Sequence, residues 1–283
     1  MKNSSEKIIS YILTTKNRAK SLNDALYRFS EIKTESDELI IIDGASTDNT
    51  IEVIKKYSRL IDHFISEPDS NPDEAGNKGF LLAKGKYIKQ LADDDIYFLE
   101  GLDKAYEVME KNPDVDMIVC GGIRKQGEKE TLIYVPAGSN YGSSVDDMFM
   151  NGYPTSGMGV FFRRNLFYKV GLFETDRSFP DMGFILRSIY LGANVKFCRI
   201  NMFYHVLSND SITVKNEKGY NKEYKSLLNR YCSENYKRLY LRKNKLWYRI
   251  LSTIPKMLIQ ILWNIKSKNK VSKINPVWDG GFS

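Results

Sequence analysis

In this 283-residue chain, short apolar runs alternate four times with helical patterns over roughly the first 120 residues. The runs predict strands over residues 8–14, 38–42, 61–66, 86–92 and 116–120. Helical spacing is predicted over Leu22–Phe29, Ile51–Ile54, residues 77–84 up to Gly85, and Leu99–Met109. This alternation predicts an α/β fold with a Rossmann-like, mostly parallel sheet flanked by helices.

Polar clusters follow three of these predicted strands, at residues 14–18, 43–48 and 93–95. In open parallel sheets, ligands bind beyond the carboxyl ends of the strands. We therefore expect the three clusters to meet at one edge of the sheet and to form a site there.

Three adjacent carboxylates, Asp93, Asp94 and Asp95, form the most informative of these clusters. Such groups repel one another, and burying one without a partner is costly. A divalent cation that also bridges a substrate diphosphate would relieve the repulsion, and oxygen ligands suit Mg²⁺ or Mn²⁺. The alternative is a solvated acidic turn before the helix that starts near Phe98.

Other polar residues at the predicted edge are candidates for ligand contacts. Asp43 could accept from a base or a ribose hydroxyl, or it could close an Asx turn in DGAS. Asn77 and Lys78 lie in AGNKG, where Lys78 could face a phosphate or simply belong to a helix start. Thr15, Asn17 and Arg18 are the polar residues after the first strand. They could line a binding pocket, or they could belong to a solvated loop.

The segments TTKNR, IIIDGASTDNT, SEPDSNPDEAGNKGF and KGKYIKQLADDDIY occur in an order and spacing that resemble family 2 glycosyltransferases. The resemblance extends over residues 8 to about 210. It implies a GT-A fold and inverting transfer of a sugar from a nucleoside diphosphate, expected to be UDP, to a hydroxyl. The acceptor implied is a glycan or a lipid-linked molecule in cell-surface polysaccharide synthesis.

The resemblance also implies roles for individual residues in donor binding. Asp43 would bind the nucleotide base, Thr15 and Arg18 would line the base pocket, and Asn17, Asn77 and Lys78 would complete the donor site. Asp93 would contact the ribose or the donor sugar.

Metal ligands and the general base follow from the same resemblance. Asp94 would hold the metal, with Asp95 and His205 as further ligands, although His205 could equally be structural. Many family members have an acid where this chain has Ala92, which leaves the division among the three aspartates open. Asp181, six residues before an arginine, would be the general base, or only a helix cap.

The charge of the chain is divided unevenly along its length. Residues 237–273 contain eleven Lys or Arg and no Asp or Glu, so the remaining chain sums to −4 of the net +7. Residues 250–265 add an apolar helical stripe, which is typical of a helix lying on an anionic membrane. The alternative is packing on the catalytic domain or on a homodimer partner. Nucleic acid is disfavoured because no binding module accompanies the charge.

We predict a GT-A catalytic domain over residues 1–215, with a nucleotide-sugar half up to about 120 and an acceptor half after it. A basic, partly amphipathic helical extension follows over 216–283. No signal peptide, long apolar segment or close cysteine spacing occurs, so we expect a cytoplasmic protein, peripheral on the inner face of the membrane. Two other functions remain open: a nucleotidyltransferase, disfavoured because the loop after the first strand lacks glycine, and a non-catalytic sugar-nucleotide-binding scaffold at the membrane.

Overall fold

A computed structural model describes residues 8–133, 144–146, 148, 157–177, 179–207 and 217–238. The strands are β1 Ile9–Thr15, β2 Glu38–Asp43, β3 His63–Ser66, β4 Tyr87–Ala92, β5 Ile96–Tyr97, β6 Met117–Gln126, β7 Lys129–Ile133, β8 Val160–Arg163 and β9 Val195–Leu207. The helices are α1 Ala19–Phe29, α2 Thr50–Lys56, α3 Pro72–Leu82, α4 Leu99–Lys111, α5 Leu166–Val170, α6 Pro180–Tyr190 and α7 Glu217–Tyr231.

One sheet joins all the described strands in the order β3-β2-β1-β4-β8-β6-β9-β5, with β7 added beside β6. The neighbours β3, β2, β1 and β4 run parallel, as do β6 and β9, while β5, β7 and β8 pair antiparallel. Helices flank this sheet, which confirms the predicted α/β class. Thr15 is in register with Asp43, and Thr14 with Ala92, so the polar clusters after β1, β2 and β4 leave the sheet at one edge.

The helical spacing identified the buried faces correctly. In α1 the buried residues are Leu22, Ala25, Leu26 and Phe29. The helix predicted from residue 77 begins earlier, at Pro72, because the side chain of Asn71 accepts hydrogen bonds from the backbone N–H groups of Asp73 and Glu74. Proline in the first helical position suits this start.

Strands β6 and β7 form an antiparallel hairpin. Gly127 lies in its turn with φ of +60°, a conformation that favours glycine. Strand β6 continues well beyond residue 120 because β9 pairs along its whole length, with a register shift around Gly121.

Helix α7 belongs to the hydrophobic core. Leu227, Leu228 and Tyr231 are buried in the same cluster as Phe184 and Leu186 of α6. Residues 223–236 therefore pack on the body of the fold, although the sequence assigned them to an extension. The amphipathic stripe at 250–265 lies outside the described residues, and none of the described helices is long and apolar enough to span a bilayer.

Candidate active site

The polar ends of β1 and β4 meet directly at the edge of the sheet. Thr15 Oγ1 donates a hydrogen bond of 2.8 Å to Asp93 Oδ2. One guanidinium nitrogen of Arg18 lies 3.2 Å from Asp93 Oδ1 and 2.7 Å from Asp94 Oδ2. Four of the predicted site residues are thus in mutual contact, as expected if strand ends converge.

The three adjacent carboxylates have different environments. Asp93 is 6 % exposed and Asp95 3 %, whereas the side chain of Asp94 is 37 % exposed. Burial raises the pKa of Asp93 to about 6, against the opposing effects of Thr15 and Arg18. Burial likewise raises the pKa of Asp95. Asp94 is therefore the carboxylate most accessible to an incoming ligand.

Asp95 is paired with His205, because β5 lies antiparallel beside β9. Because Ile96 is in register with Tyr204, the residues beside them meet, and His205 Nδ1 lies 2.6 Å from Asp95 Oδ1. Because Nδ1 is engaged by a carboxylate, Nε2 is the ring nitrogen that could bind a metal, as a carboxylate–histidine pair allows at metal sites. The other Asp95 oxygen is buried and has no hydrogen-bond partner among the described residues.

Asp43 ends β2 with a fully buried carboxylate. Its Oδ2 accepts from the backbone N–H of Ser46 at 2.9 Å and from the hydroxyl of Ser66 at 2.6 Å. The hydroxyl of Ser46 donates to Oδ1. The carboxylate thus closes an Asx turn, and two of its three partners are hydroxyls that can rotate to other acceptors.

Asn17 connects the loop after β1 with the loop after β2. Its backbone adopts a φ of +52°, its N–H donates to Ser46 Oγ at 2.7 Å, and its side-chain oxygen accepts from Thr47 N–H at 2.7 Å. Asn17 and Asp43 thus contact the same serine, so the two loops are fixed relative to each other.

Asn77 and Lys78 are not in contact with the aspartate triplet. The amide of Asn77 makes two bonds to the backbone of Phe173: Nδ2 donates to its carbonyl at 2.9 Å, and Oδ1 accepts from its N–H at 3.0 Å. Lys78 is ion-paired with Glu67 at 2.9 Å and with Glu74 at 3.5 Å. Their roles in donor binding stay predictions.

Asp181 lies in the first turn of α6. Its Oδ2 accepts from the N–H of Gly157 at 2.7 Å, and its Oδ1 from the N–H of Met182 at 2.8 Å. Burial raises the pKa of Asp181, while these N–H groups oppose the rise. A held carboxylate with a raised pKa has the properties of a general base.

The arginine six residues after Asp181 has a different environment. Arg187 pairs with Glu174 at 3.1 Å, and Glu174 also binds Arg230 at 3.2 Å and Arg177. Of the two residues in this six-residue spacing, Asp181 is the candidate base, whereas Arg187 belongs to an ion-paired cluster that links α6 to α7 through Glu174.

Asp73 is a residue that the sequence did not indicate. Burial, followed by the charges of Asp181 and Glu223, raises the pKa of Asp73 to about 7. Asp73 lies in α3 and Asp181 in α6, and no local pattern reveals their proximity. The electrostatic surroundings of Asp181 thus depend on tertiary packing.

A divalent cation fits this site only in part. Within the described part of the chain, no three His, Cys, Asp or Glu side chains are arranged to hold a metal ion. Asp94 is held by Arg18, whereas Asp95 presents a buried oxygen without a partner and orients His205. The protein thus offers a few donors of suitable chemistry, and further ligands would have to come from a bound diphosphate.

Residues 10–173 match the sequence profile described as "Glycosyl transferase family 2". The match covers more than half of the chain and includes the residues from Thr15 to Asp95 at the edge of the sheet. The chain therefore belongs to glycosyl transferase family 2. Asp181 and His205 lie beyond the matched segment.

Solved structures share the fold. TarS 1–349 of Staphylococcus aureus, in complex with UDP-GlcNAc, has a TM-score of 0.58 at 16 % identity, covering 72 % of this chain and 60 % of that one. The mannosyltransferase PcManGT of Pyrobaculum calidifontis, in complex with GDP-Man and Mn²⁺, has a TM-score of 0.57 at 16 % identity, covering 75 % and 60 %. The fold is thus the GT-A fold predicted from the sequence.

Two relatives match parts of this chain in sequence. An uncharacterized glycosyltransferase of Haemophilus influenzae is 24 % identical over 182 residues, 64 % of this chain and 61 % of the relative. Poly(ribitol-phosphate) beta-N-acetylglucosaminyltransferase TarS of Staphylococcus aureus is 27 % identical over 130 residues, 44 % of this chain and 22 % of TarS. The chain thus spans less than two thirds of the length of these relatives.

Proposed function

We propose that this protein is an inverting glycosyltransferase that transfers a sugar from a UDP-linked donor to a hydroxyl of a glycan or lipid-linked acceptor. The observation that carries the proposal is the convergence of Thr15, Arg18, Asp93 and Asp94 at one edge of the sheet. The role in cell-surface polysaccharide synthesis is supported by TarS, whose name gives poly(ribitol phosphate) as its acceptor.

In this proposal, the loops after β1 and β2 bind the nucleotide. The base contacts Asp43, whose serine partners can turn away to release an oxygen, and Thr15 and Arg18 line the pocket. Asn17 holds the two loops together, and Asp93 contacts the ribose or the donor sugar. The UDP-GlcNAc complex of TarS supports a uridine nucleotide as the first donor to test.

We assign Asp94, Asp95 and His205 to a divalent cation, Mn²⁺ or Mg²⁺. When bound, the cation would neutralise negative charge on the leaving diphosphate. The protein's part is to offer the exposed carboxylate of Asp94 and the Nε2 of His205, which Asp95 orients. The Mn²⁺ complex of PcManGT supports the choice of ion.

Asp181 is the proposed general base. It accepts the proton from the acceptor hydroxyl as the new glycosidic bond forms, while the bond between the sugar and the diphosphate breaks on the opposite face of the sugar. Its raised pKa makes it a stronger proton acceptor than an ordinary aspartate. The backbone N–H groups of Gly157 and Met182 hold both of its oxygens in place.

The basic segment 237–273 is proposed to bind an anionic membrane surface, which would bring a lipid-linked acceptor close to the site. Its eleven positive charges support this assignment, because each basic residue near an anionic surface contributes about 1 kcal/mol.

The decisive experiment has two readouts on the purified full chain. A panel of UDP-, GDP- and dTDP-sugars is screened for thermal stabilisation with Mn²⁺, and the best donor is then assayed for UDP or other nucleotide release. We expect stabilisation by one donor class and metal-dependent release that an acceptor glycan accelerates. A protein that binds the donor without any release would be the non-catalytic scaffold. Stabilisation by no sugar nucleotide would overturn the proposal.

A further inference from the structure

Lys89 is a fully buried lysine in β4, four residues before the aspartate triplet. Its side chain is 0 % exposed. Its Nζ donates to the carbonyl of Met158 at 2.7 Å and lies 3.3 Å from the carbonyl of Val160. The nitrogen also lies 4.9 Å from the ring centre of Tyr97. Among the described residues, no carboxylate lies within ion-pair distance of it.

Burying an amine in this way is costly unless its hydrogen bonds are made. Burial lowers the pKa of Lys89 to about 7. Both protonation states of the amine keep N–H donors for the two carbonyls. The structural contribution of Lys89 therefore comes from these donors and does not require a permanent charge.

The two carbonyls lie just beyond the point where β4 and β8 stop pairing. The antiparallel ladder between β4 and β8 ends at the pair Ile88 and Phe162. Beyond that pair the chain before β8 forms the turn Gly157–Gly159. Beyond the ladder, β4 is therefore joined to this turn by the side-chain amine of Lys89, where backbone hydrogen bonds no longer do so.

The opposite side of the turn is pressed against β6. A Cβ added to Gly159 would lie 2.1 Å from the carbonyl oxygen of Cys120, so only glycine fits there. The turn is therefore fixed from two sides, by β6 through Gly159 and by β4 through Lys89.

The same turn holds the proposed general base. Gly157 N–H donates to Asp181 Oδ2 at 2.7 Å, and a Cβ on Gly157 would lie 3.1 Å from the Cβ of Asp181. One short segment thus contacts Lys89 through the carbonyl of Met158 and Asp181 through the N–H of Gly157.

We propose that Lys89 is a positioning residue for Asp181: through the turn Gly157–Gly159, its amine fixes the carboxylate relative to the donor site at the end of β4. The inference rests on the proposed function of Asp181 as the base. It adds that the strand carrying the aspartate triplet also sets the location of the base.

The test compares Lys89→Met, which keeps the length of the side chain but removes the donor, with Lys111→Met, a change at a surface lysine. Both are measured in the full chain with the UDP-sugar selected by the donor screen. We expect Lys89→Met to lower kcat by roughly 10- to 100-fold, because small displacements of a catalytic group have effects of this size. The KM for the donor should stay within about threefold of wild type, since the base acts on the acceptor. Lys111→Met should match wild type.

A double-mutant cycle separates positioning from a general loss of structure. In an Asp181→Asn background, adding Lys89→Met should change the residual rate by less than about threefold, because the group it positions is already disabled. Full additivity, or a parallel loss of donor affinity, would overturn the proposal.

If Lys89→Met does not fold, Gly157→Ala decides, because its Cβ displaces Asp181 while leaving Lys89 in place. We expect it to lower kcat with donor KM retained, and an unchanged kcat would overturn the proposal. A wild-type protein without any turnover would instead refute the proposed function. An active wild type with an equally active Lys89→Met variant would refute this inference alone.

Discussion

Arg18 and Asp94 form an ion pair of 2.7 Å that connects the loop after β1 with the loop after β4. The same guanidinium also contacts Asp93, so a single cation balances two of the three adjacent carboxylates before any ligand arrives. A metal that binds Asp94 would have to compete with Arg18, so we expect this carboxylate to exchange partners when the donor and metal bind.

Replacement of that carboxylate tests its role directly. Asp94→Asn is expected to reduce turnover at least a hundredfold, about 3 kcal/mol of transition-state stabilisation, because the variant would hold less tightly the cation that neutralises the leaving diphosphate. The melting temperature should change little, since an ion pair with this much exposure contributes about 1 kcal/mol or less. Nucleotide release and a melting curve measure the two effects. Asp24→Asn in α1 is the matched control, and near-normal turnover in Asp94→Asn would assign the metal elsewhere.

The two histidines of the chain provide a matched pair for the metal site. If Nε2 is a ligand, His205→Gln should weaken Mn²⁺ binding by about 10- to 100-fold. Calorimetry, or the Mn²⁺ dependence of nucleotide release, measures this affinity. His63→Gln on β3 should leave it unchanged. Equal affinities in the two variants would make His205 structural.

Loss of the base should separate catalysis from donor binding. Asp181→Asn removes the proton acceptor while its amide can still accept a hydrogen bond from Gly157 N–H. We expect transfer to fall by about 10²- to 10⁴-fold, the usual contribution of a general base, while donor and metal affinities stay within a few-fold of wild type. In wild type, the raised pKa of Asp181 should place the acidic limb of the kcat/KM profile above the usual range for an aspartate. Donor affinity that falls together with turnover would show that Asp181 is structural.

Much of this molecule follows from local patterns, and the remainder depends on distant parts of the chain. The spacing of Leu22, Leu26 and Phe29 fixed both the existence and the buried face of α1. Strand β5 has only two residues and is defined by its pairing with β9, far along the chain, so no local pattern predicts it.

The same distinction applies to the site. Asp93 and Asp94 directly follow a predicted strand, and their meeting with Arg18 follows from the parallel pairing of β1 with β4. The surroundings of Lys89 and Asp73 could not be predicted in this way. A lone lysine inside a strand and an aspartate in a helix start gain significance only from Met158 and Asp181, which tertiary packing brings beside them.

Asp73 makes stability depend on pH in a defined direction. Its pKa is about 7 in the folded protein, above the ordinary aspartate value, so the folded state binds more protons between about pH 4 and 7. Stability from this group is therefore present at low pH and is lost as the pH rises to about 7. Asp73→Asn should raise the melting temperature more at pH 8 than at pH 5, with each 1 kcal/mol giving about 2–4 °C. Melting curves at pH 5 and pH 8 measure the effect, with Asp114→Asn as the surface control. An equal rise in melting temperature at both pH values would contradict the raised pKa of Asp73.

The basic segment allows a separate test, because Tyr236 is the last described residue that is buried against the body. A chain ending after Arg238 should lose binding to vesicles of anionic lipid but retain nucleotide release. High salt should weaken the binding of the full chain without abolishing it, because the Debye length falls to about 3 Å at 1 M while apolar burial persists. Sedimentation with vesicles and a melting curve decide the matter. A truncated chain that aggregates, together with no vesicle binding by the intact protein, would favour packing of the segment on the body.

The reciprocal hydrogen bonds between Asn77 and the backbone of Phe173 restrict how enzymes of this kind can be recombined. The carboxamide of Asn77 in α3 hydrogen-bonds to both the N–H and the C=O of Phe173, 96 positions away, in the way that the backbone of a neighbouring strand would. Consider a chimera that joins the first half of this chain to the second half of a relative. Its backbone must present an N–H and a C=O group to Asn77 at the position of Phe173, whatever the side chain there. Proline cannot replace Phe173 there because it has no N–H, and aspartate at position 77 would supply an acceptor but no donor. A second half grafted onto this chain should therefore keep the backbone N–H and C=O groups that bind Asn77.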